Sequence, residues 1–274
     1  MRIRLAHETV YTYGTPAKGV IQTLRLTPRN HDGQHIIDWR IDVSADCRLD
    51  QHEDAFGNIT HTFTADGPLE RVSVLVDGTV ETQDTAGLVR DAVERFPPSL
   101  FLRETPLTHP DAAIQKLADD VVAHAKDDRL EFLHTLMSRL HDEMEYDEDP
   151  THVSTSAALA YELRRGVCQD FTHIFVGATR CAGIPARYIS GYYCRTDTAE
   201  QNAGHAWAEA YVNDFGWLAF DPTHDTCPVE SHVRVAAGLD YLGASPVRGS
   251  RIGGSGESLA VKIRVEQARR QSQN

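Results

Sequence analysis

Cysteine is scarce in this chain and follows no pattern. Its five cysteines, Cys47, Cys168, Cys181, Cys194 and Cys227, are odd in number and include no C-x-x-C pair. Neither a disulfide framework nor a thiol metal site is indicated, and free thiols in a reducing cytoplasm are expected. No apolar run approaches the roughly 18 residues that a membrane span requires. The opening Met1-Arg2-Ile3-Arg4-Leu5-Ala6-His7-Glu8 has no apolar signal-peptide core. Basic charge is in deficit: 27 Lys and Arg stand against 40 Asp and Glu, a net charge of −13. Phosphate backbones and anionic lipid are repelled by such a surface, so neither nucleic acid nor a membrane is expected as a partner. Protonating the 14 histidines would cancel nearly all of that charge, so the acidity belongs to neutral pH.

What is present suffices for a packed core. Hydrophobic residues make up 41% and charged residues 24% of 274, the balance of an ordinary globular protein. That length suits two domains at roughly 150 residues each. Residues 1–95 read as a β-rich N-terminal domain. Val10–Tyr13, Ile36–Val43, Ile59–Phe63 and Val72–Val80 are β-branched and aromatic, with turn signals at Gly14-Thr15-Pro16, Pro28–Gly33, Asp54–Asn58 and Asp66-Gly67-Pro68. The spacing predicts a β-sandwich or small open barrel. No catalytic constellation is evident there, and His52-Glu53-Asp54 reads as a solvated turn. Four prolines between 96 and 110 mark a linker. Residues 111–274 then form the second domain. Ile114, Leu117, Val121 and Val122 predict one helical stripe, and Leu130, Leu133, Met137, Leu140 and Met144 a second. The acidic run Asp142–Asp149 lacks the spacing and turn glycine of a calcium loop. Residues 249–258, rich in glycine and serine, read as a loop before a last strand, Leu259–Val265.

The segment that carries chemistry begins at Gly166-Val167-Cys168-Gln169-Asp170. Phe171, Ile174, Phe175 and Ala178 follow at helical spacing, and Gly183-Ile184-Pro185 ends the helix. Cys168 thus stands at a helix start, where unpaired amides and the dipole favour a thiolate. His205-Ala206-Trp207-Ala208-Glu209 opens a strand, and Trp217–Asp221 forms another that ends at Pro222. A thiol nucleophile needs a base, and the base needs a third group to fix its tautomer. Cysteine, histidine and aspartate occur in that order. His173, five residues along the cysteine helix, points elsewhere. Cys47, Cys181, Cys194 and Cys227 read as packing residues.

Four ordered motifs now carry a resemblance. Gly166-Val-Cys-Gln-Asp170, Gly183-Ile-Pro-Ala-Arg-Tyr188, His205-Ala-Trp-Ala-Glu209 and Phe220-Asp-Pro-Thr223 together resemble the transglutaminase-like core, specifically the bacterial members with a β-rich N-terminal region. The match covers about residues 150–250. It implies an α+β, papain-like fold with helices packed on an antiparallel sheet. It also implies Cys168 as nucleophile, His205 as general base, Asp221 as orienting carboxylate, and attack on an amide or peptide carbonyl through a thioester. A protein or peptide substrate is implied, and no cofactor or metal is demanded. The alternative is a non-catalytic peptide-binding module on the same fold.

The Cys168 amide is one oxyanion donor, and Gln169 or Tyr161 would supply a second. Trp207 reads as wall or core near the site. Arg187, in an otherwise apolar strand, needs a buried acidic partner, and Asp170 is the expected one. Strand arithmetic adds a test. With a four-residue loop at 213–216, Val212 pairs with Trp217 and Asp221 falls opposite Ala208, facing away from His205. A shared face requires a bulge between His205 and Val212, or a different turn register.

Overall fold

The computed structural model describes residues 1–126 and 128–268. The first half is built on two very long strands, β1 (Arg2–Thr27) and β4 (Ile59–Thr82), joined by β2 (Gln34–Val43) and β3 (Asp50–Glu53). Two of the turn signals therefore do not end a strand. Gly14–Pro16 and Asp66–Pro68 lie on either side of the Ala17–Leu69 pair in the β1–β4 ladder, and the register shifts between Thr12 and Ala17 and again before Gly19. Because both strands are irregular at one level, the ladder resumes on the far side instead of breaking. The shift also changes which side chains point inward. Ile3, Leu5, His7 and Thr9 are buried before it, and Val20, Gln22, Leu24 and Leu26 after it. Both halves of the bent sheet bury residues in one cluster, so the sandwich character comes from one folded sheet.

A short strand β5 (Leu88–Val89), a 3-10 turn at Pro98–Leu102, and helices α1 (Ala112–Ala125) and α2 (Arg129–Glu143) come next. Asp111 and Asp128 cap the two helices by accepting backbone N–H bonds. Both expected stripes are buried except at their edges: Val122 faces solvent and Ala118 and Ala125 take its place. The 96–110 segment is packed, with Phe101, Leu107 and Thr108 buried.

The remaining elements are β6 (Glu145–Tyr146), α3 (Ala157–Leu163), β7 (Arg165–Gly166), α4 (Cys168–Cys181), β8 (Ala186–Tyr193), β9 (Glu200–Gln201), β10 (His205–Val212), β11 (Gly216–Phe220), β12 (His232–Gly238), α5 (Tyr241–Ala244), β13 (Val247–Ile252) and β14 (Ser255–Gln267). A second antiparallel sheet runs β12-β8-β10-β11-β5. The side chains of α1–α4 form one core with Ala208, Ala210 and Phe220 of this sheet. Tyr188, Tyr192, Ala206 and Val233 enter the core of the first sheet instead. The second sheet is thus covered by helices on one side and approached by the N-terminal sheet from another.

Two sequence expectations change here. Residues 249–258 are not a loop, since β13 and β14 both pair antiparallel with β1. The chain's last strands thereby join the N-terminal sheet, while Leu88 and Val89 pair with β11 in the second. Sequence order hid this exchange because an open edge of β1 recruits whichever strand reaches it, however distant along the chain.

Candidate active site

Cys168 is the first residue of α4, as its position after Gly166-Val167 suggested. Asp170 holds that helix start in place. Its Oδ2 accepts the Val167 N–H at 2.9 Å and the Thr151 hydroxyl at 2.8 Å. Gly166 is required by the same packing, since a Cβ there would lie 2.5 Å from Asp170 Oδ2. Gly166→Ala is accordingly expected to destabilise the fold by about 1–3 kcal/mol, as overpacked sites do. Urea denaturation reads this, and an unchanged midpoint would refute the contact's importance.

Asp170 is consequently not the partner of Arg187. The Arg187 Nε donates to Glu209 Oε2 at 2.6 Å, and its other two nitrogens bind Glu94 at 2.8 and 3.0 Å. Arg234 adds a second guanidinium to Glu209, with Nε at 2.7 Å from Oε1. Glu209 stands directly opposite Arg187 in the β8–β10 ladder. Burial disfavours its charge, but Arg234 and Arg187 outweigh that and hold the carboxyl down at about 2. The guanidinium of Arg187 also lies 3.9 Å from the Trp217 ring centroid. Sequence reasoning chose Asp170 because it is the acid of the cysteine motif. The true partner lies across a strand pair, and that pairing was not legible.

His205 and Asp221 meet as the turn-register alternative requires. Val212 pairs with Gly216 and Tyr211 with Trp217, so the connection has three residues rather than four. A turn bond from the Phe215 N–H to the Val212 carbonyl, followed by Gly216 at φ +85°, makes the hairpin. Continuing the ladder places Asp221 opposite Trp207, on the His205 face, with no bulge in β10. The His205 Nε2–H donates to Asp221 Oδ2 at 2.7 Å. Cys168 and His205 line one cavity, and Cys168 is among the groups that favour the charged imidazole.

Two further histidines converge on the same carboxylate. His224 Nδ1 lies 2.7 Å and His232 Nε2 3.1 Å from Asp221 Oδ2, while Oδ1 accepts the Thr223 N–H at 3.0 Å. Asp221 is fully buried. Burial opposes its ionisation, but His205, His224 and His232 together hold the carboxyl well below the usual range. Burial likewise opposes a charged His205, yet the Asp221 carboxylate and then Cys168 raise that imidazole to about 10. Tyr193 packs its ring against all three imidazoles, with centroids 4.5–5.5 Å away. Trp207 closes the group from the other side against His205 and His232. His224 was within reach of sequence reasoning, being three residues past Asp221 in one turn. His232 enters from β12, and nothing local announced it.

The ligand atoms of His205, Asp221 and His232 lie within 4.8 Å of one another, a spacing that a divalent ion could bridge. Their N···O separations of 2.7 and 3.1 Å are those of hydrogen bonds. The cluster is therefore read as a hydrogen-bonded network.

The oxyanion candidates fare differently. Gln169 lines the cavity beside Cys168, its Nε2 donating weakly to the Val153 carbonyl at 3.4 Å. The Tyr161 hydroxyl instead donates to Glu143 at 2.9 Å, beneath the stacked Arg164, and does not line that cavity. Tyr146 and Tyr188 do line it, and the Cys168 charge acts on both phenols. His173 is buried, its Nε2 accepting the Tyr241 N–H at 3.1 Å. Cys194 is buried and Cys47 and Cys227 half-buried, but Cys181 is exposed at the end of α4, contrary to its reading as a packing residue.

A cavity of about 380 Å³ opens over Cys168 and His205. His7, Thr9 and Tyr11 of β1 line it, so the first sheet contributes to the site although its sequence showed no constellation. His7 bonds the Tyr192 hydroxyl at 2.8 Å and the Thr9 hydroxyl at 2.9 Å. The available signal was polar residues at the inward positions of an apolar alternation, Ile3-x-Leu5-x-His7-x-Thr9.

The buried histidines set a pH dependence of stability. Burial pushes His7 and His31 down to about 4, and His173 to about 3. Unfolding lets each bind a proton below its ordinary value of 6.5, so stability is lost as pH falls from 6.5 towards 4. His205 has the opposite sign. Its stabilisation is complete below 6.5 and is lost as pH rises towards 10. Melting temperature is therefore expected to peak near pH 6.5 and to fall at both pH 4.5 and pH 9. A profile that is flat from 4.5 to 6.5 would contradict the neutral burial of these side chains.

Among the described residues no helix is long and apolar enough to cross a membrane. Residues 115–222 match the transglutaminase-like superfamily, and residues 3–81 match the bacterial transglutaminase-like N-terminal region. An uncharacterized protein of Mycobacterium leprae is 27% identical over 279 residues, covering 96% of this chain and 98% of its own. A protein-glutamine gamma-glutamyltransferase of Pseudomonas aeruginosa is 27% identical over 154 residues, 51% of this chain and 23% of that one. Among solved structures, a provisionally assigned cysteine protease of Cytophaga hutchinsonii superimposes with a TM-score of 0.77 at 20% identity, covering 100% of this chain and 92% of that one. At that identity the likeness speaks for the fold, which is the α+β, papain-like arrangement of helices on an antiparallel sheet behind a β-rich N-terminal region.

Proposed function

The chain belongs to the transglutaminase-like superfamily and carries its bacterial N-terminal region, and from that premise we propose that it is a thiol enzyme transferring an acyl group from an amide. The observation that carries this reading is the buried His205 imidazole, bonded to Asp221 at 2.7 Å and lining one cavity with Cys168. An imidazole raised to about 10 is protonated at neutral pH, so His205 carries the proton that the departing nitrogen needs. In the first step the Cys168 sulfur attacks the carbonyl carbon, and the carbonyl electrons move to oxygen, where the Cys168 amide and the Gln169 side chain are the donors at hand. As the oxyanion collapses, the C–N bond breaks and His205 gives its proton to the departing nitrogen. In the second step water or a primary amine, deprotonated by His205, attacks the thioester and releases the Cys168 thiol. Asp221 keeps the imidazole in the required tautomer and orientation throughout.

The name of the Pseudomonas relative makes a glutamine side chain the first donor to try. Incubating the protein with a glutamine peptide, with and without a primary amine, should yield ammonia and either a glutamate or an amine-substituted product. Alkylation of Cys168 by iodoacetamide at pH 7 should also be much faster than for the unfolded chain. An inert thiol and no turnover would favour a peptide-binding module instead.

A further inference from the structure

We infer that the acyl donor presents a large apolar side chain beside its reactive amide, and that the N-terminal sheet supplies part of the wall that receives it. The inference rests on the acyl-transfer reading and adds the substrate class. Large apolar side chains left in solvent are unremarkable when scattered, but three of them ring one opening here. Tyr146, Val153 and Leu259 are 53%, 59% and 57% exposed, and all three line the cavity that contains Cys168 and His205. Tyr146 and Val153 come from the segment before the cysteine helix. Leu259 comes from β14, which pairs with β1 and so belongs to the N-terminal sheet. Tyr11 and Val261 of the same sheet continue the apolar wall inward.

The volume of about 380 Å³ exceeds what one reacting carboxamide fills, leaving room for a neighbouring side chain. Charge narrows the choice. Glu148 lies on the lining, no Lys or Arg does among the described residues, and the His205 charge is already paired with Asp221, so an acidic neighbour would meet like charge without a free counter-ion. A leucine or phenylalanine next to the glutamine would instead remove Tyr146, Val153 and Leu259 from water together with itself.

The test is a series of short peptides differing only in the residue adjacent to glutamine, on either side: Leu, Phe, Gly or Asp. Ammonia release is measured for each, alongside iodoacetamide alkylation of Cys168. We expect kcat/KM for Leu or Phe to exceed that for Gly by about tenfold or more on at least one side, the scale of one apolar group in a pocket. Asp should fall below Gly. Leu259→Asp and, as a milder second variant, Leu259→Ser should shrink the Leu-to-Gly ratio several-fold. Equal rates across the series would overturn the inference while leaving acyl transfer standing. A ratio unchanged in both Leu259 variants, with their folds intact by circular dichroism, would overturn the part assigned to the N-terminal sheet. An inert Cys168 with no reactive donor would overturn both readings.

Discussion

An Asp221→Asn protein is expected to acylate about 10⁴-fold more slowly than the parent, the loss known for turning an orienting carboxylate of a nucleophile–histidine pair into its amide. The cause here is specific. Three imidazole N–H groups, from His205, His224 and His232, point at one oxygen of Asp221. A carboxylate can accept all three, whereas an amide has one oxygen and adds two N–H donors of its own. His205 would lose both its charge partner and its fixed tautomer, and its imidazolium would no longer be held up to about 10. Alkylation of Cys168 at pH 7 and single-turnover release of ammonia both report on this, and both should fall together. A loss of less than threefold, with the fold intact by circular dichroism, would remove Asp221 from the reaction.

The second large effect concerns stability. Glu209→Ala should cost about 3–5 kcal/mol, as expected when one member of a buried ion group is removed and the others are left charged. Glu209 is fully buried between Arg187 and Arg234. Without it two guanidiniums face each other, and Arg187 retains only Glu94, whose side chain is 37% exposed. The exposed pair of Arg40 and Asp42 is the contrast: removing Asp42 should leave the urea midpoint essentially unchanged. If Glu209→Ala shifted stability by less than about 1 kcal/mol, the buried network would be dispensable. The two predictions separate cleanly, because Glu209 lies on the strand that carries His205 but bonds none of the reacting groups.

Local features of the sequence determined more of this molecule than global ones. Cys168 at a helix start, His205 opening a strand and Asp221 closing the next were readable because capping, glycine–proline stops and alternation act over a few residues. The hairpin register was nearly readable: one residue of loop length decides whether Asp221 faces His205, and the left-handed Gly216 settles it at three. Arg187's need for a buried acid was also evident, since a guanidinium in an apolar strand cannot stay unpaired.

Which acid it finds, which histidines join Asp221, and which sheet walls the cavity were left to tertiary structure. Glu209, His232 and Leu259 reach their places through strand pairings that depend on edges left open by residues far away in the chain. Packing one sheet against another brings His7 and Tyr11 to the site of Cys168, although more than 150 residues separate them. Sequence periodicity records which side of a strand is buried, but not what is buried against it.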